Sequence, residues 1–152
     1  MDMAELEQRL TRMEDIEAIK QLKAEYCDIC DDDHNPGRIT TIFAEDGIWE
    51  AKGFGKGEGH AGIQELFQGF QKMISFSQHM VMNPVIKVEG ERATGRWYFI
   101  GPFTFGETTA KWQAVRYEDD YVKVGGEWKI QHLRAHVRMS TDYETIWANQ
   151  DS

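Results

Sequence analysis

Apolar side chains recur every three or four residues along the first half of the chain, a spacing typical of amphipathic helices. Between Glu5 and Cys30 this spacing predicts one long helix. Pro36 disfavours the helical conformation of the residue before it and Gly37 favours a turn, so the helix is expected to end no later than Asn35. A second stripe predicts a helix over residues 61–75, and its apolar positions are Ile63, Leu66, Phe67, Phe70 and Ile74.

The segment between these helices changes character along its length. Residues 38–51 begin with a helical pattern and become strand-like around Gly47 to Ala51. The glycine-rich stretch KGFGKGEGHAG follows, but its glycines fit neither a dinucleotide fingerprint nor a P-loop. We interpret this stretch as a turn between a strand and the second helix.

From His79 onward the hydrophobic period shortens towards two, as in β-strands. A Gly-Glu turn and then a Gly-Gly hairpin separate long strands, which predicts an antiparallel sheet. Helices first and an antiparallel sheet afterwards predict an α+β fold, and residues 1–152 are expected to form a single domain. The tail TDYETIWANQ is expected to form a final helix with Thr141 or Asp142 as its N-cap.

Acidic residues outnumber basic ones by 26 to 17, which gives a formal charge of −9. No stripe of Lys or Arg is present to neutralise phosphates, which argues against nucleic acid and favours a small neutral or weakly polar ligand. No run approaches the ~18 apolar residues of a membrane span. The charged N-terminus also lacks the apolar core and cleavage site of a signal peptide, so a soluble, cytoplasmic protein is expected.

The stretch CDICDDDHNPG, residues 27–37, concentrates groups that carry chemistry. Cys27 and Cys30 form a C-x-x-C without a preceding strand or a second pair, so we interpret them as small buried side chains and not as a redox centre. The acids of this stretch lack the alternate positions, glycine and distal glutamate of an EF-hand loop. A calcium site is therefore not predicted here.

A second arrangement that could suggest a metal is the pair His132 and His136, four residues apart on a predicted strand. Both face one way, but they lie about 13 Å apart at roughly 3.3 Å per residue, too far to share one zinc ion. We interpret them as part of a sheet face that could form an oligomer interface. No metal and no cofactor are expected.

The order of elements, with YEDDYVKVGGEWKI in the last hairpin, resembles the SnoaL-like branch of the nuclear transport factor two-like superfamily. Within it, the chain resembles scytalone dehydratase and the hexachlorocyclohexane dehydrochlorinase. The resemblance implies a cone-shaped α+β barrel of the cystatin-like type, in which a curved mixed or antiparallel sheet wraps around N-terminal helices.

In those enzymes an aspartate ends the first helix and a histidine opens the first long strand of the sheet. The matching residues here are Asp31 and His79, the latter in FSQHM, and Trp49 stands where these families place a pocket aromatic. The helix pattern alone leaves the choice between Asp31 and Asp33 open. The resemblance assigns the role to Asp31.

Several positions depart from the pattern of these enzymes. Phe103, after Pro102, stands where scytalone dehydratase has a second histidine. Cys30 replaces a tyrosine beside the aspartate, and Tyr117 replaces a pocket asparagine. Arg134 nearly matches an arginine of the dehydrochlorinase, but an offset of one residue on a strand turns a side chain to the opposite face. A substrate different from that of either enzyme is therefore expected.

A neutral histidine can take up a proton near neutral pH if one tautomer is fixed, and a carboxylate bonded to its other ring nitrogen fixes that tautomer. With Asp31 and His79 as the catalytic pair, we predict a cofactor-independent lyase that eliminates water, hydrogen halide or formaldehyde. Its substrate is expected to be a small hydrophobic compound, aromatic or cyclic. Alternatives are an isomerase or polyketide-type cyclase with the same base, and a non-enzymatic ligand-binding or assembly domain.

The chain is also rich in aromatic residues that could line a pocket. Trp97, Phe99 and Phe103 share one face of a predicted strand. The residues expected to hold the substrate are Tyr26, Trp49, Trp97, Phe103, Tyr117 and Arg134. A homo-oligomer, a dimer or trimer, is expected because the outer face of the sheet carries apolar residues that a monomer would expose.

Overall fold

A computed structural model of the 152-residue chain describes residues 1–144. Its helices are α1 (Met3–Asp31), α2 (Pro36–Ile39) and α3 (Gly59–Met73). Its strands are β1 (Phe43–Ala51), β2 (Gly55–Glu58), β3 (Ile74–Ser77), β4 (Met80–Glu89), β5 (Arg92–Phe105), β6 (Thr109–Val124) and β7 (Glu127–Asp142). The two long helices and the four long strands predicted by the periodicity are confirmed.

Two local predictions differ from the structure. The glycine-rich stretch contains a short strand, β2, which pairs antiparallel with β1. Gly57 permits this because a Cβ there would lie 2.7 Å from the carbonyl oxygen of Gly62 in α3. Thr141 and Asp142 belong to β7, and Tyr143 and Glu144 form a turn. The remainder of the predicted final helix, residues 145–150, lies outside the described residues.

The sheet has the strand order β2-β1-β7-β6-β5-β3, and β4 pairs with β5 beside β3. All pairs are antiparallel except β1 with β7, which is parallel. The sheet curls into a half-barrel that holds the C-terminal half of α1 and one face of α3. The predicted α+β class with a curved mixed sheet around N-terminal helices is thus confirmed. Within residues 1–144, no helix is long and apolar enough to cross a membrane.

The C-terminal half of α1 is attached to the sheet by a buried ion pair. Lys23 Nζ lies 2.7 Å from Asp119 Oδ2, and both side chains are 0% exposed. Asp119 also accepts a hydrogen bond of 2.9 Å from the Tyr121 hydroxyl, and Lys23 Nζ lies 3.6 Å from the centre of the Tyr117 ring. Two buried charges are tolerated here because each is bonded to the other.

We expect Lys23→Met to lower the free energy of unfolding by about 3–5 kcal/mol, because it leaves the buried Asp119 carboxylate without its cation. Urea unfolding of the purified protein measures this. Lys20→Met, on the exposed side of the same helix, is the matched control and should change stability by less than about 0.5 kcal/mol. The double variant Lys23→Met/Asp119→Leu should recover most of the loss. Equal stability of Lys23→Met and Lys20→Met would contradict the role given to the ion pair.

Candidate active site

His79 lies where the chain passes from β3 to β4. Both strands pair with β5: Ser77 lies opposite Phe103, and Met80 lies opposite Ile100. The Gln78 N–H donates to the Pro102 carbonyl oxygen at 3.2 Å, which holds the connection against β5. A Cβ on Gly101 would overlap the carbonyl oxygen of Gln78, so glycine is required for this close approach.

Asp31, the last residue of α1, turns its carboxylate towards this connection. It accepts hydrogen bonds from the His79 backbone N–H at 2.8 Å and from the Ser77 hydroxyl at 3.1 Å. Its Oδ1 lies 2.6 Å from Nδ1 of the His79 ring. The His79 side chain is 5% exposed and that of Asp31 is 26% exposed. A ring that donates from Nδ1 to a carboxylate keeps Nε2 as an acceptor.

The neighbouring acids have different environments. Asp32 bonds Arg38 Nη1 at 3.0 Å, and the hydrogen bonds from Arg38 and Asn35 lower the pKa of its carboxyl group. Asp33 is exposed at a left-handed backbone position with φ 52°. Of the three consecutive acids, Asp31 is therefore the one that contacts His79.

The His79 ring faces an apolar cavity that lies between the sheet, α1 and α3. The cavity volume is about 50 Å³. Four of the predicted substrate-binding residues line it, namely Tyr26, Trp49, Phe103 and Tyr117. Trp49 Nε1 donates to the Tyr26 hydroxyl at 2.9 Å. Burial raises the pKa of the phenols of Tyr26 and Tyr117 well above the usual value, so both stay neutral.

Trp97 and Arg134 lie outside this cavity. The indole of Trp97 turns along β5 towards Tyr121, whose hydroxyl accepts from Nε1 at 3.0 Å, and fills the space left by Gly95. Arg134 bonds Asp120 at 2.8 Å on the opposite face of β7. The neighbouring Ala135 lines the cavity instead, as expected when a one-residue offset on a strand reverses the face.

His34 is a cavity residue that the sequence analysis missed. It follows the end of α1 in a left-handed conformation, φ 46°, which is strained for a histidine, and its N–H donates to the Cys30 carbonyl oxygen at 3.0 Å. Its buried ring lies 6.1 Å from the ring of His79, centroid to centroid. Burial, with a smaller effect of the nearby His79, lowers the pKa of His34 to about 4. No periodicity marks this residue; only its proximity to Pro36 hints that the chain turns inward.

The cysteines of the C-x-x-C are free and buried, as predicted. Burial raises the pKa of Cys27 to about 12 and that of Cys30 well above its usual value. Both are thiols at neutral pH, so neither is an activated nucleophile in the protein by itself.

Comparison with known proteins agrees with this architecture. A family model described as a SnoaL-like domain matches residues 11–134. A hexachlorocyclohexane dehydrochlorinase of type 2 is 22% identical, with 91% of this chain and 95% of that chain covered and a TM-score of 0.84. A protein named provisionally as a scytalone dehydratase, from Novosphingobium aromaticivorans, is 22% identical, with 90% and 92% covered and a TM-score of 0.79. The family resemblance inferred from the sequence is confirmed.

A protein from the same organism, named provisionally as an aromatic ring hydroxylase, is 26% identical to this chain. The alignment covers 86% of this chain and 94% of that chain, with a TM-score of 0.79. Similar structures thus carry names of different reactions, so the reaction must be argued from the side chains of the cavity.

We expect Gly101→Ala to lower the free energy of unfolding by about 1–3 kcal/mol, because the new methyl group forces the Gln78–His79 connection away from β5. Gly69→Ala, at an exposed helical site with open space around it, is the matched control and should be neutral or stabilising by up to about 1 kcal/mol. Urea unfolding of both variants tests this. A Gly101→Ala protein as stable as wild type would show that the close approach is not required.

His34 is also expected to make stability depend on pH. Between pH 6.5 and about 4 the unfolded chain binds a proton on His34 that the folded protein does not, so stability is full above pH 6.5 and falls as the pH falls through this window. At pH 4.5 the loss from this residue should be about 2–3 kcal/mol. Urea unfolding at pH 7 and 4.5, in buffer free of metal ions, compares wild type with His34→Phe. Equal acid sensitivity of the two proteins would contradict the lowered pKa.

Proposed function

We propose, from the premise that this chain belongs to the SnoaL-like domain family, that it is a cofactor-independent lyase for a small hydrophobic compound, aromatic or cyclic. The single observation that carries this proposal is the contact between Asp31 and His79. The carboxylate holds Nδ1 at 2.6 Å, and the ring belongs to the wall of an apolar cavity. Nε2 is then the nitrogen available to a bound molecule.

The proposed reaction is an elimination that begins at a C–H bond. Nε2 of neutral His79 takes the proton, the C–H electron pair forms the new double bond, and the leaving group departs from the adjacent carbon with its bonding pair. Asp31 stabilises the imidazolium, which afterwards passes its proton to the leaving group or to solvent. General-base action of this kind contributes about 10²–10⁴-fold to the rate.

The cavity supports a small and largely apolar substrate. Aromatic rings form most of its wall, and the neutral phenols of Tyr26 and Tyr117 supply polar atoms among them. A volume of about 50 Å³ holds water molecules, whereas a cavity of roughly 150 Å³ takes up benzene. Binding of a ring-sized substrate would therefore displace side chains of the wall, and the compounds to screen are small aromatic diols, halides and ketones.

The names of two structural neighbours, a dehydrochlorinase and a dehydratase, describe eliminations and support this reaction class. The same base could instead move a proton without loss of a group, as in an isomerase or polyketide-type cyclase. A ligand-binding domain would need the cavity but no proton transfer. The homo-oligomer expected from the sequence stays a prediction, supported by exposed apolar side chains on β4 and β5, among them Met80, Met82, Val85 and Ile100.

We expect His79→Gln and Asp31→Asn each to lower kcat/KM by about 10²–10⁴-fold on a substrate identified in that screen, because either change removes the oriented base. His136→Gln, which affects only an exposed contact with Glu118, is the matched control and should retain wild-type turnover. Mass spectrometry of the product separates elimination, which lowers the mass of the organic product, from isomerisation, which does not. Wild-type turnover of Asp31→Asn would refute the mechanism, and unchanged ligand affinity with no turnover in any protein would indicate a binding domain.

A further inference from the structure

Three potential metal ligands converge on one side of the cavity. One ligand atom each from Cys30, His34 and His79 lies within 4.8 Å of the other two. Cys30 and His34 are buried, and the His79 side chain is 5% exposed. His34 and His79 also line the cavity, so the cluster borders its interior.

Two different parts of the chain bring these groups together. Cys30 lies in the last turn of α1, and the hydrogen bond from the His34 N–H to the Cys30 carbonyl oxygen holds the two residues close beyond the end of the helix. His79 arrives from the β3–β4 connection, which Asp31 and the β5 backbone hold in place. The backbone strain at His34, φ 46°, points its buried ring towards this cluster and the cavity.

The chemistry of the donors selects a class of ion. A cysteine sulfur, which releases its proton when it binds a metal, and two imidazoles suit zinc and its neighbours in the first transition row, whereas calcium and magnesium require oxygen ligands. Metal-bound histidines usually donate their other ring N–H to a carboxylate, which is how Asp31 holds Nδ1 of His79. The aromatic wall would leave a fourth coordination position open towards the cavity, as in catalytic zinc sites.

We infer that Cys30, His34 and His79 form a binding site for a divalent ion of the zinc class, with Asp31 as the residue that orients His79. Donor atoms of a tetrahedral zinc site lie about 3.3–3.7 Å apart, so the three side chains must close by about 1 Å around the ion. Rotation about χ1 of Cys30 and about χ1 and χ2 of His34, which lies just beyond the end of α1, supplies this shift. The inference does not rest on the proposed lyase activity.

Occupation of this site would have a consequence for the proposed function. An ion on Nε2 of His79 takes the nitrogen that the proposed base requires, so a zinc-class ion should compete with proton abstraction. Bound metal and general-base action at His79 are thus mutually exclusive states of the same imidazole.

Cobalt(II) is the probe for the test, because a tetrahedral cobalt thiolate site gives intense visible bands and a near-ultraviolet charge-transfer band. We expect the chelator-treated 152-residue protein to develop both bands on titration with Co²⁺, and we expect Zn²⁺ to abolish them by displacement. Cys30→Ser should lose the charge-transfer band. Asp31→Asn should weaken binding by about 10–100-fold, and His34→Gln, which removes a direct ligand, should weaken it further. Cys27→Ser, a buried cysteine three residues away and outside the cluster, is the matched control and should bind as wild type does.

Absence of the charge-transfer band in wild-type protein, or its persistence in Cys30→Ser, would overturn the inference. The wild-type titration decides the matter even if a variant fails to fold, and circular dichroism identifies such a variant. A failed metal titration together with a large loss of turnover in Asp31→Asn would leave the proposed lyase intact. Metal binding by the wild-type protein together with wild-type turnover in Asp31→Asn would support the metal site and refute the proposed lyase mechanism.

Discussion

The buried ion pair between Lys23 and Asp119 fixes the position of α1 along the sheet, and the site depends on that position. Asp15 contacts Lys123 at 2.9 Å, one further attachment of the same helix to β6. Eight residues of helix separate Asp15 from Lys23 and span about 12 Å, and four residues of strand separate Lys123 from Asp119 and span about 13 Å. The helix and the strand therefore run antiparallel, and the two ion pairs are separated by about the same distance along each of them. Asp31 lies about two helical turns beyond Lys23. A shift of α1 by one turn would remove the carboxylate from His79.

The end of α1 is an unfavourable place for a carboxylate, because the helix dipole is negative there. Hydrogen-bond donors from the end of β3 and the β3–β4 connection offset this cost. The backbone N–H and ring of His79 and the hydroxyl of Ser77 all bond to Asp31. The strained backbone at Asp33 and His34 follows at once. The backbone strain and the unfavourable charge both lower the stability of the folded protein, and the contacts of the surrounding structure offset that cost.

The sequence predicted the elements well because their patterns are local. The helical stripe of α1 and the Gly-Gly hairpin between β6 and β7 depend on neighbouring residues only. The candidate site required contacts between distant segments. Asp31 and His79 came from a family resemblance and not from any pattern in the chain. The burial of His34 was not predicted, because this residue lies three positions beyond the end of α1, where the periodic pattern of the helix no longer applies. Trp97 shares the inner face of β5 but bends towards Tyr121, a choice of side-chain direction that strand parity does not encode.

The contact between Asp31 and His79 would suit the proposed proton transfer and the proposed metal ligation equally, since both need a fixed tautomer and a free Nε2. The two roles differ in the groups that they require around Nε2. An apolar wall alone favours a base, because it excludes water that would compete for the proton, whereas a thiol and a second imidazole within 4.8 Å add ligands. In this chain both surroundings meet at one ring, because Cys30 in the last turn of α1 and His34 just beyond that helix both lie close to His79. The same imidazole is therefore central to both proposals, as the base of the lyase and as a ligand of the inferred ion.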